Sequence, residues 1–210
     1  MNRYVNATGP EAEYEPGSQK KVLKNLLGIT SKVEMDLIEL EALIRVQETY
    51  YRKPSLESQR ITADFIRGMH RDWLGGIYSW SGNCRTVELA KEGFAWPPAY
   101  LVTDNMAKFE ADVLAAHTPC KADGVEAVSQ SLAVVHAELL LIHPFREGNG
   151  RLARWLADLM AFQAGYAPPE YRFTGRGSRR VREQYLVAVI QGYQQNYEPL
   201  ARFFEEALLS

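Results

Sequence analysis

Twelve consecutive residues, HPFREGNGRLAR at 143–154, bring together a histidine, an acid, two glycines and three arginines. Gly148, Asn149 and Gly150 come directly before a periodic apolar run. They therefore mark a helix start, where free N–H groups and the helix dipole attract an anion. Two of the arginines, Arg151 and Arg154, are three residues apart and project from one face of that helix. Guanidinium groups suit phosphate oxygens, so the stretch predicts a seat for a polyphosphate.

Glu147 and His143 could supply the chemistry at this seat. A carboxylate beside several phosphates is unfavourable unless a cation lies between them, so Glu147 predicts bound Mg²⁺. A neutral imidazole titrates near about pH 6.5, so His143 could accept a proton from an attacking hydroxyl. Each residue alone also fits an ordinary turn or helix end, but their joint occurrence favours phosphoryl or nucleotidyl transfer.

Composition and charge exclude several other classes of function. The chain has 210 residues, 46% hydrophobic, and a formal net charge of −2. That charge predicts no direct nucleic-acid binding and no binding to acidic membranes. Cys84 and Cys120 lack metal-ligand spacing, and no apolar leader or run of 18 apolar residues occurs. We therefore expect a cytoplasmic protein with free thiols, a secreted effector being the alternative.

Helical periodicity covers most of the chain. Apolar residues recur at spacings of three and four in 123–142 and again after the motif. Residues 79–101 instead hold turn residues and two consecutive prolines, which indicates a loop and a β-hairpin. The sequence predicts an all-α helical bundle with one inserted hairpin. Its expected parts are an extended arm at 1–20, a single domain at 21–210, a hairpin at about 84–101 and a catalytic loop at 143–151.

The motif matches His-Pro-Phe-x-Asp/Glu-Gly-Asn-Gly-Arg-x-x-Arg throughout, and in this the chain resembles the Fic/Doc family. Three flanking segments extend the resemblance over about residues 14–206: VLKNLLGI (22–29), IYSWSGNCRTV (77–87) and NYEPLARFF (196–204). The resemblance implies a helical bundle with a β-hairpin flap over the site. It also implies transfer of AMP from ATP to a Tyr, Thr or Ser hydroxyl of a target protein, with release of pyrophosphate.

The resemblance further implies a role for each residue of the motif. His143 would deprotonate the target hydroxyl, and Phe145 would pack into the core. The others would hold the triphosphate: Mg²⁺ on Glu147, the α-phosphate on Gly148, Asn149 and Gly150, the β-phosphate on Arg151 and the γ-phosphate on Arg154.

The flap is expected to hold the target backbone by strand pairing. Its candidate docking residues are Val87, Phe94 and Trp96, although the two aromatic rings could equally pack the flap onto the core. Outside the motif, His70 matches a family position that we take to be structural. His136 is expected on the polar side of its helix, without a role.

Many relatives silence themselves with a helix bearing Ser/Thr-x-x-x-Glu-Gly/Asn, whose glutamate pairs with the second arginine of the motif. The one comparable segment here, TSKVEM at 30–35, has Met35 where Gly or Asn belongs. We favour a helix cap formed by Ser31 and Glu34 over an inhibitory role for Glu34. A separate small antitoxin protein, whose glutamate reaches Arg154, is the implied partner.

Two other functions remain open at this point. The transferred group could be another nucleotide or a phosphate, although kinase-like relatives typically have Ala and Lys at the positions of Gly148 and Gly150. The chain could also be a non-catalytic nucleotide-binding module. Such a module would be expected to lose His143 or Glu147, and both are present.

Overall fold

The structure, a computed structural model, describes residues 4–5, 10–91 and 93–210. It contains eight α-helices among these residues: α1 Lys32–Tyr51, α2 Ala63–Leu74, α3 Val102–Lys108, α4 Ala115–His117, α5 Val125–Ile142, α6 Asn149–Gln163, α7 Ser178–Gly192 and α8 Glu198–Leu208. A π-helical segment, Phe109–Leu114, leads into α4. Three short strands are β1 Tyr4–Val5, β2 Glu88–Lys91 and β3 Phe94–Ala95.

One compact unit comprises Met1–Lys53, Ala63–Ala107 and Ile142–Leu152. In this unit α1 packs on α2, and the apolar side chains between them are buried. Helix α1 begins where the Glu34 N–H donates to Ser31 Oγ at 3.4 Å, as a helix cap requires. The Glu34 side chain itself is exposed.

The three strands form one antiparallel sheet in the order β1-β2-β3. The hairpin of β2 and β3 lies inside the predicted range 84–101. Strand β1 comes from the N-terminal arm and places Tyr4 opposite Leu89. The arm therefore contributes a strand to the flap sheet, while residues 1–3 and 6–9 of that arm lie outside the described residues.

The second unit comprises Pro54–Thr62, Lys108–Leu141 and Ala153–Ser210. Helices α7 and α8 pack together, and α7 also approaches α5 closely, since a Cβ on Gly192 would lie 2.6 Å from the Ala137 Cβ. By length and composition alone, α5 could span a membrane. However, 61% of it is buried inside the protein, as expected of a core helix.

The predicted fold class is confirmed, because the described residues are mainly helical with one small sheet. The predicted catalytic loop, 143–151, is too long at its C-terminal end. Helix α6 already begins at Asn149, because the Leu152 N–H donates to the Gly148 carbonyl at 2.9 Å and closes the first turn. The single domain over 21–210 stays a prediction.

Candidate active site

The loop between α5 and α6 begins with a strained residue. His143 has φ +52°, a left-handed conformation that few residues other than glycine adopt, although histidine and asparagine do so more often than most. Its carbonyl accepts a hydrogen bond from Arg85 Nε at 2.7 Å. The Arg85 N–H also donates to the Pro144 carbonyl at 2.8 Å. The backbone at the predicted base is therefore fixed by a residue far away in sequence.

Asn149 fixes the middle of the loop. Its Oδ1 accepts the Phe145 N–H at 2.9 Å, and its Nδ2 donates to the Phe145 carbonyl at 2.7 Å. The Asn149 side chain thus bridges the loop at both polar ends of its amide. This clasp holds the loop in shape, whereas contact of Asn149 with an α-phosphate stays a prediction.

The anion seat predicted at the start of α6 has the expected backbone geometry. Gly148, with φ +84°, caps the helix, and the N–H groups of the next three residues precede the first intrahelical hydrogen bond. Glu147 Oε1 accepts the Gly148 N–H at 3.0 Å. The carboxylate therefore lies at the edge of the seat, bonded to the N–H group just before those of residues 149–151.

Gly148 also approaches the Trp73 ring so closely that no side chain fits. A Cβ at this position would lie 2.8 Å from the ring, in addition to the strain of a positive φ. We expect Gly148→Ala to lower the free energy of unfolding by about 3 kcal/mol. Gly165→Ala is the matched control, since Gly165 has φ +81° with nothing within 4 Å, and about 1 kcal/mol is expected there. Chemical denaturation measures both, and equal losses would contradict the close approach.

The buried His70 ring packs against the catalytic loop, and its role is structural, as expected. Its ring stacks on Phe145 with centroids 3.9 Å apart. Nδ1 accepts the Gly82 N–H at 2.9 Å, so Nε2 carries the proton and donates to the Glu147 carbonyl at 3.1 Å. Burial lowers the pKa of His70 to about 4, so the ring is neutral at neutral pH.

Arg151 is held from three sides. Its guanidinium pairs with Glu39 Oε2 at 2.6 Å and lies 3.9 Å from Glu147 Oε1. It also lies over the Trp73 ring, 4.7 Å from the centroid. Glu39 is 3% exposed and was missed from the sequence. Its signal was an acid on the buried stripe of α1, four residues from both Met35 and Leu43.

Arg85 joins the catalytic loop to both ends of the flap. Besides its bond to His143, it donates to the Val87 carbonyl at 2.9 Å and to the Pro97 carbonyl at 2.6 Å. The residue is 1% exposed. Sequence reasoning included it only as one letter of the segment 77–87, with no role.

The N-terminal arm also contacts this region. The Glu11 carboxylate accepts hydrogen bonds from the Thr86 N–H and hydroxyl, at the base of the flap. The Glu11 carbonyl accepts from Arg146 Nε at 2.6 Å, in the catalytic loop. The described part of the arm is therefore a brace between flap and loop, which its polar composition did not indicate.

The three predicted flap residues differ in their placement. Val87 is fully buried, so its side chain packs in the core and does not face a target. Phe94 is 37% exposed and meets Trp96 edge to face, with centroids 5.3 Å apart. Trp96 lies against the His143 ring at 4.1 Å. Trp96 thus contacts the predicted base, and Phe94 is the more exposed of the two aromatic residues.

Arg154 belongs to the second unit and has aromatic surroundings there. Its guanidinium lies 5.9 Å from the Tyr171 ring centroid and 5.5 Å from that of Phe173, and its positive charge opposes the burial that raises the pKa of Tyr185. Among the described residues of this unit, no carboxylate forms an ion pair with Arg154. Burial raises the pKa of nearby Asp158 to about 7, which reduces the negative charge available to Arg154 at neutral pH.

His136 is not on a polar helix face, which corrects the sequence prediction. It is 1% exposed, because every residue of α5 from Ser131 to Ile142 is buried or half-buried. Its Nδ1 donates to the Ala153 carbonyl at 3.1 Å, and its Nε2 accepts the Tyr185 hydroxyl at 2.7 Å. Burial lowers the pKa of His136 to about 3. The neutral ring therefore orients Tyr185, whose pKa the Arg154 charge also affects.

The donor set around Glu147 fits Mg²⁺ held partly by a substrate. No group of three or more His, Cys, Asp or Glu side chains suited to a metal occurs in the described residues. One carboxylate at an anion seat is nevertheless what Mg²⁺ uses when phosphates and water complete its octahedron. Glu147 can therefore contribute a ligand only together with a bound polyphosphate.

Comparisons with known proteins agree with this chemistry. The Fic/DOC family profile matches residues 60–161. The chain is 28% identical over 166 residues to protein adenylyltransferase VbhT of Bartonella schoenbuchensis, covering 79% of this chain and 33% of that protein. It is 27% identical over 187 residues to the probable protein adenylyltransferase y4lH of Sinorhizobium fredii, covering 89% and 90%. The chain thus spans about a third of the length of VbhT and nearly all of y4lH.

The fold is also found among solved structures. The crystal structure of BepC, a VirB-translocated effector protein of Bartonella tribocorum with bound AMPPNP, superposes with a TM-score of 0.72. The superposition covers 94% of this chain and 96% of that one, at 19% sequence identity. At this identity the likeness concerns the fold.

Proposed function

Because this chain belongs to the Fic/DOC family, we propose that it is a protein adenylyltransferase. It transfers AMP from ATP to a hydroxyl side chain of a target protein and releases pyrophosphate. One observation carries the proposal. A single loop and the helix start after it hold a histidine, a carboxylate, an anion seat and Arg151 in fixed relation.

The reaction needs one proton acceptor, and His143 provides it. The target oxygen attacks the α-phosphorus while its proton passes to the imidazole. The bond from the α-phosphorus to the oxygen shared with the β-phosphate breaks, and pyrophosphate leaves with the electron pair. Trp96, against the His143 ring, restricts how that ring can turn.

The triphosphate is held by the helix start and its arginines. In this proposal the N–H groups of residues 149–151 donate to the α-phosphate, and the Arg151 guanidinium pairs with the β-phosphate. Arg154 follows three residues later on α6 and is assigned to the γ-phosphate. Mg²⁺ on Glu147 would neutralise charge between the α- and β-phosphates.

The target enters along the flap. Strand β2 already pairs with β1 on one side and β3 on the other, so a target strand would add to an outer edge of this sheet, and we assign it to the edge of β3. Phe94, exposed at that edge, is the docking side chain.

Restraint of the enzyme is assigned to a separate small antitoxin in the cytoplasm. The Ser31–Glu34 cap supports this assignment, because it explains the TSKVEM segment as the start of α1. A glutamate from the antitoxin would oppose Arg154, which has no ion pair among the described residues of its own unit.

Labelled ATP tests the proposed activity. The purified chain is incubated with Mg²⁺, cell lysate and ATP labelled at the α- or the γ-phosphate, with His143→Ala as the blank. Label in protein from α-labelled ATP alone is expected. Label from γ-labelled ATP would indicate a kinase-like reaction. Stronger labelling by α-labelled GTP or UTP than by α-labelled ATP would indicate that another nucleotide is the substrate. Equal labelling with His143→Ala would overturn the enzyme assignment.

A further inference from the structure

We propose that Glu39 is a positioning residue for the nucleotide, which fixes the Arg151 guanidinium so that the seat favours nucleotides carrying a β-phosphate. This inference rests on the proposed function, since it assumes that Arg151 meets that phosphate. Glu39 lies on α1, 112 residues before Arg151 in sequence, and outside every motif segment.

The Glu39 carboxylate is fixed at each of its oxygens. Oε2 pairs with Arg151 at 2.6 Å, and Oε1 accepts the Tyr78 hydroxyl at 2.6 Å. The backbone of the same residue is also held, because its carbonyl accepts Trp73 Nε1 at 2.8 Å. With its side chain 4% exposed, Glu39 has no path to solvent without disrupting the packing of α1.

Arg151 has donors left over after this contact. A guanidinium carries five N–H groups in a planar fork, and the Glu39 contact occupies one of its terminal nitrogens. The Arg151 side chain is 26% exposed, so part of the fork reaches solvent. Held between Glu39 and the Trp73 ring, it can meet a phosphate without losing further rotamer freedom.

The same contact could instead be a lock that must open before nucleotide binds. Opening would leave the Glu39 carboxylate charged, buried and paired only with a tyrosine hydroxyl, which is strongly unfavourable. The ion pair is therefore expected to persist when the nucleotide is bound. A persistent ion pair means that Glu39 positions Arg151 for the nucleotide. An ion pair that must open before binding would give a different result in the experiment below.

Nucleotide binding separates these roles. Isothermal titration with AMP and with ADP, each with Mg²⁺, is carried out on the wild type, Glu39→Gln and Tyr78→Phe. Glu39→Gln is expected to weaken ADP binding about tenfold and AMP binding less than about twofold, the loss of one charge-assisted contact. Tyr78→Phe removes the other hydrogen-bond partner of the same carboxylate. It should change neither the affinity for ADP nor the affinity for AMP.

A double-substitution cycle completes the test. In the Arg151→Ala background, Glu39→Gln should have no further effect on ADP binding. Should Glu39→Gln fold poorly, Glu39→Asp replaces it, with an intermediate loss of ADP preference expected. Equal weakening of ADP and AMP, or no change, would overturn the positioning role, and tighter ADP binding would identify a lock. A wild type that does not prefer ADP over AMP would count against the proposed nucleotide seat itself, before Glu39 is in question.

Discussion

Replacement of His143 by asparagine is expected to lower the rate of AMP transfer about a thousandfold, because the reaction loses its only assigned proton acceptor. Asparagine is the sharper choice than alanine, since it tolerates the φ of +52° observed there. ATP binding should stay within about twofold, because the seat and both arginines are untouched. Single-turnover transfer from α-labelled ATP and titration of ATP measure the two effects.

The wild-type protein at the same ATP saturation is the reference. His143→Ala is a second variant that lacks the polar side-chain amide of asparagine. Retention of more than about a tenth of the transfer rate would mean that another group accepts the proton. A parallel loss of ATP binding would instead place His143 in the seat rather than at the target hydroxyl.

Replacement of Arg85 by methionine is expected to lower the free energy of unfolding by about 3–5 kcal/mol and transfer by about a hundredfold. The change strands the carbonyls of His143, Val87 and Pro97, which all accept from this one buried guanidinium. It also frees the flap from the loop that carries the base. Urea denaturation gives the first quantity and labelled transfer, measured below the unfolding midpoint, gives the second.

Arg67→Met is the matched control for this prediction. Arg67 donates from Nε to a single carbonyl, that of Gly82, and its side chain is 38% exposed. Its loss should cost about 1 kcal/mol and leave transfer within about threefold. Similar effects of the two substitutions would show that Arg85 contributes no more than an ordinary surface arginine.

The helices and the catalytic loop could be read from the sequence because their signals are local. The TSKVEM segment predicted the cap at which α1 begins, and the pattern at 123–142 predicted α5 within two residues. The residue types and spacing of the motif identified the loop, and its resemblance to a known family pattern implied the flap and the reaction. Its C-terminal boundary was missed because glycines at 148 and 150 suggested irregular backbone, whereas Gly150 is helical.

The residues that hold the site could not be found in this way. Arg85 contacts the His143 carbonyl across 58 positions, and Glu11 contacts Arg146 across 135. Sequence spacing carries no information about such pairs. His136 was misplaced for a different reason. Every residue of α5 from Ser131 to Ile142 is buried or half-buried, so a polar residue there does not mark a solvent-facing side of the helix.

The shortness of β3 limits how selective the flap can be for the amino-acid sequence of a target. Two residues, Phe94 and Ala95, offer a passing strand only a few backbone hydrogen bonds, and backbone bonds do not distinguish one amino acid from another. Reading a sequence would take side-chain pockets along a longer edge. A target strand paired at this edge would be recognised by its extended backbone, and selection among target proteins would then depend on surfaces away from the modified hydroxyl.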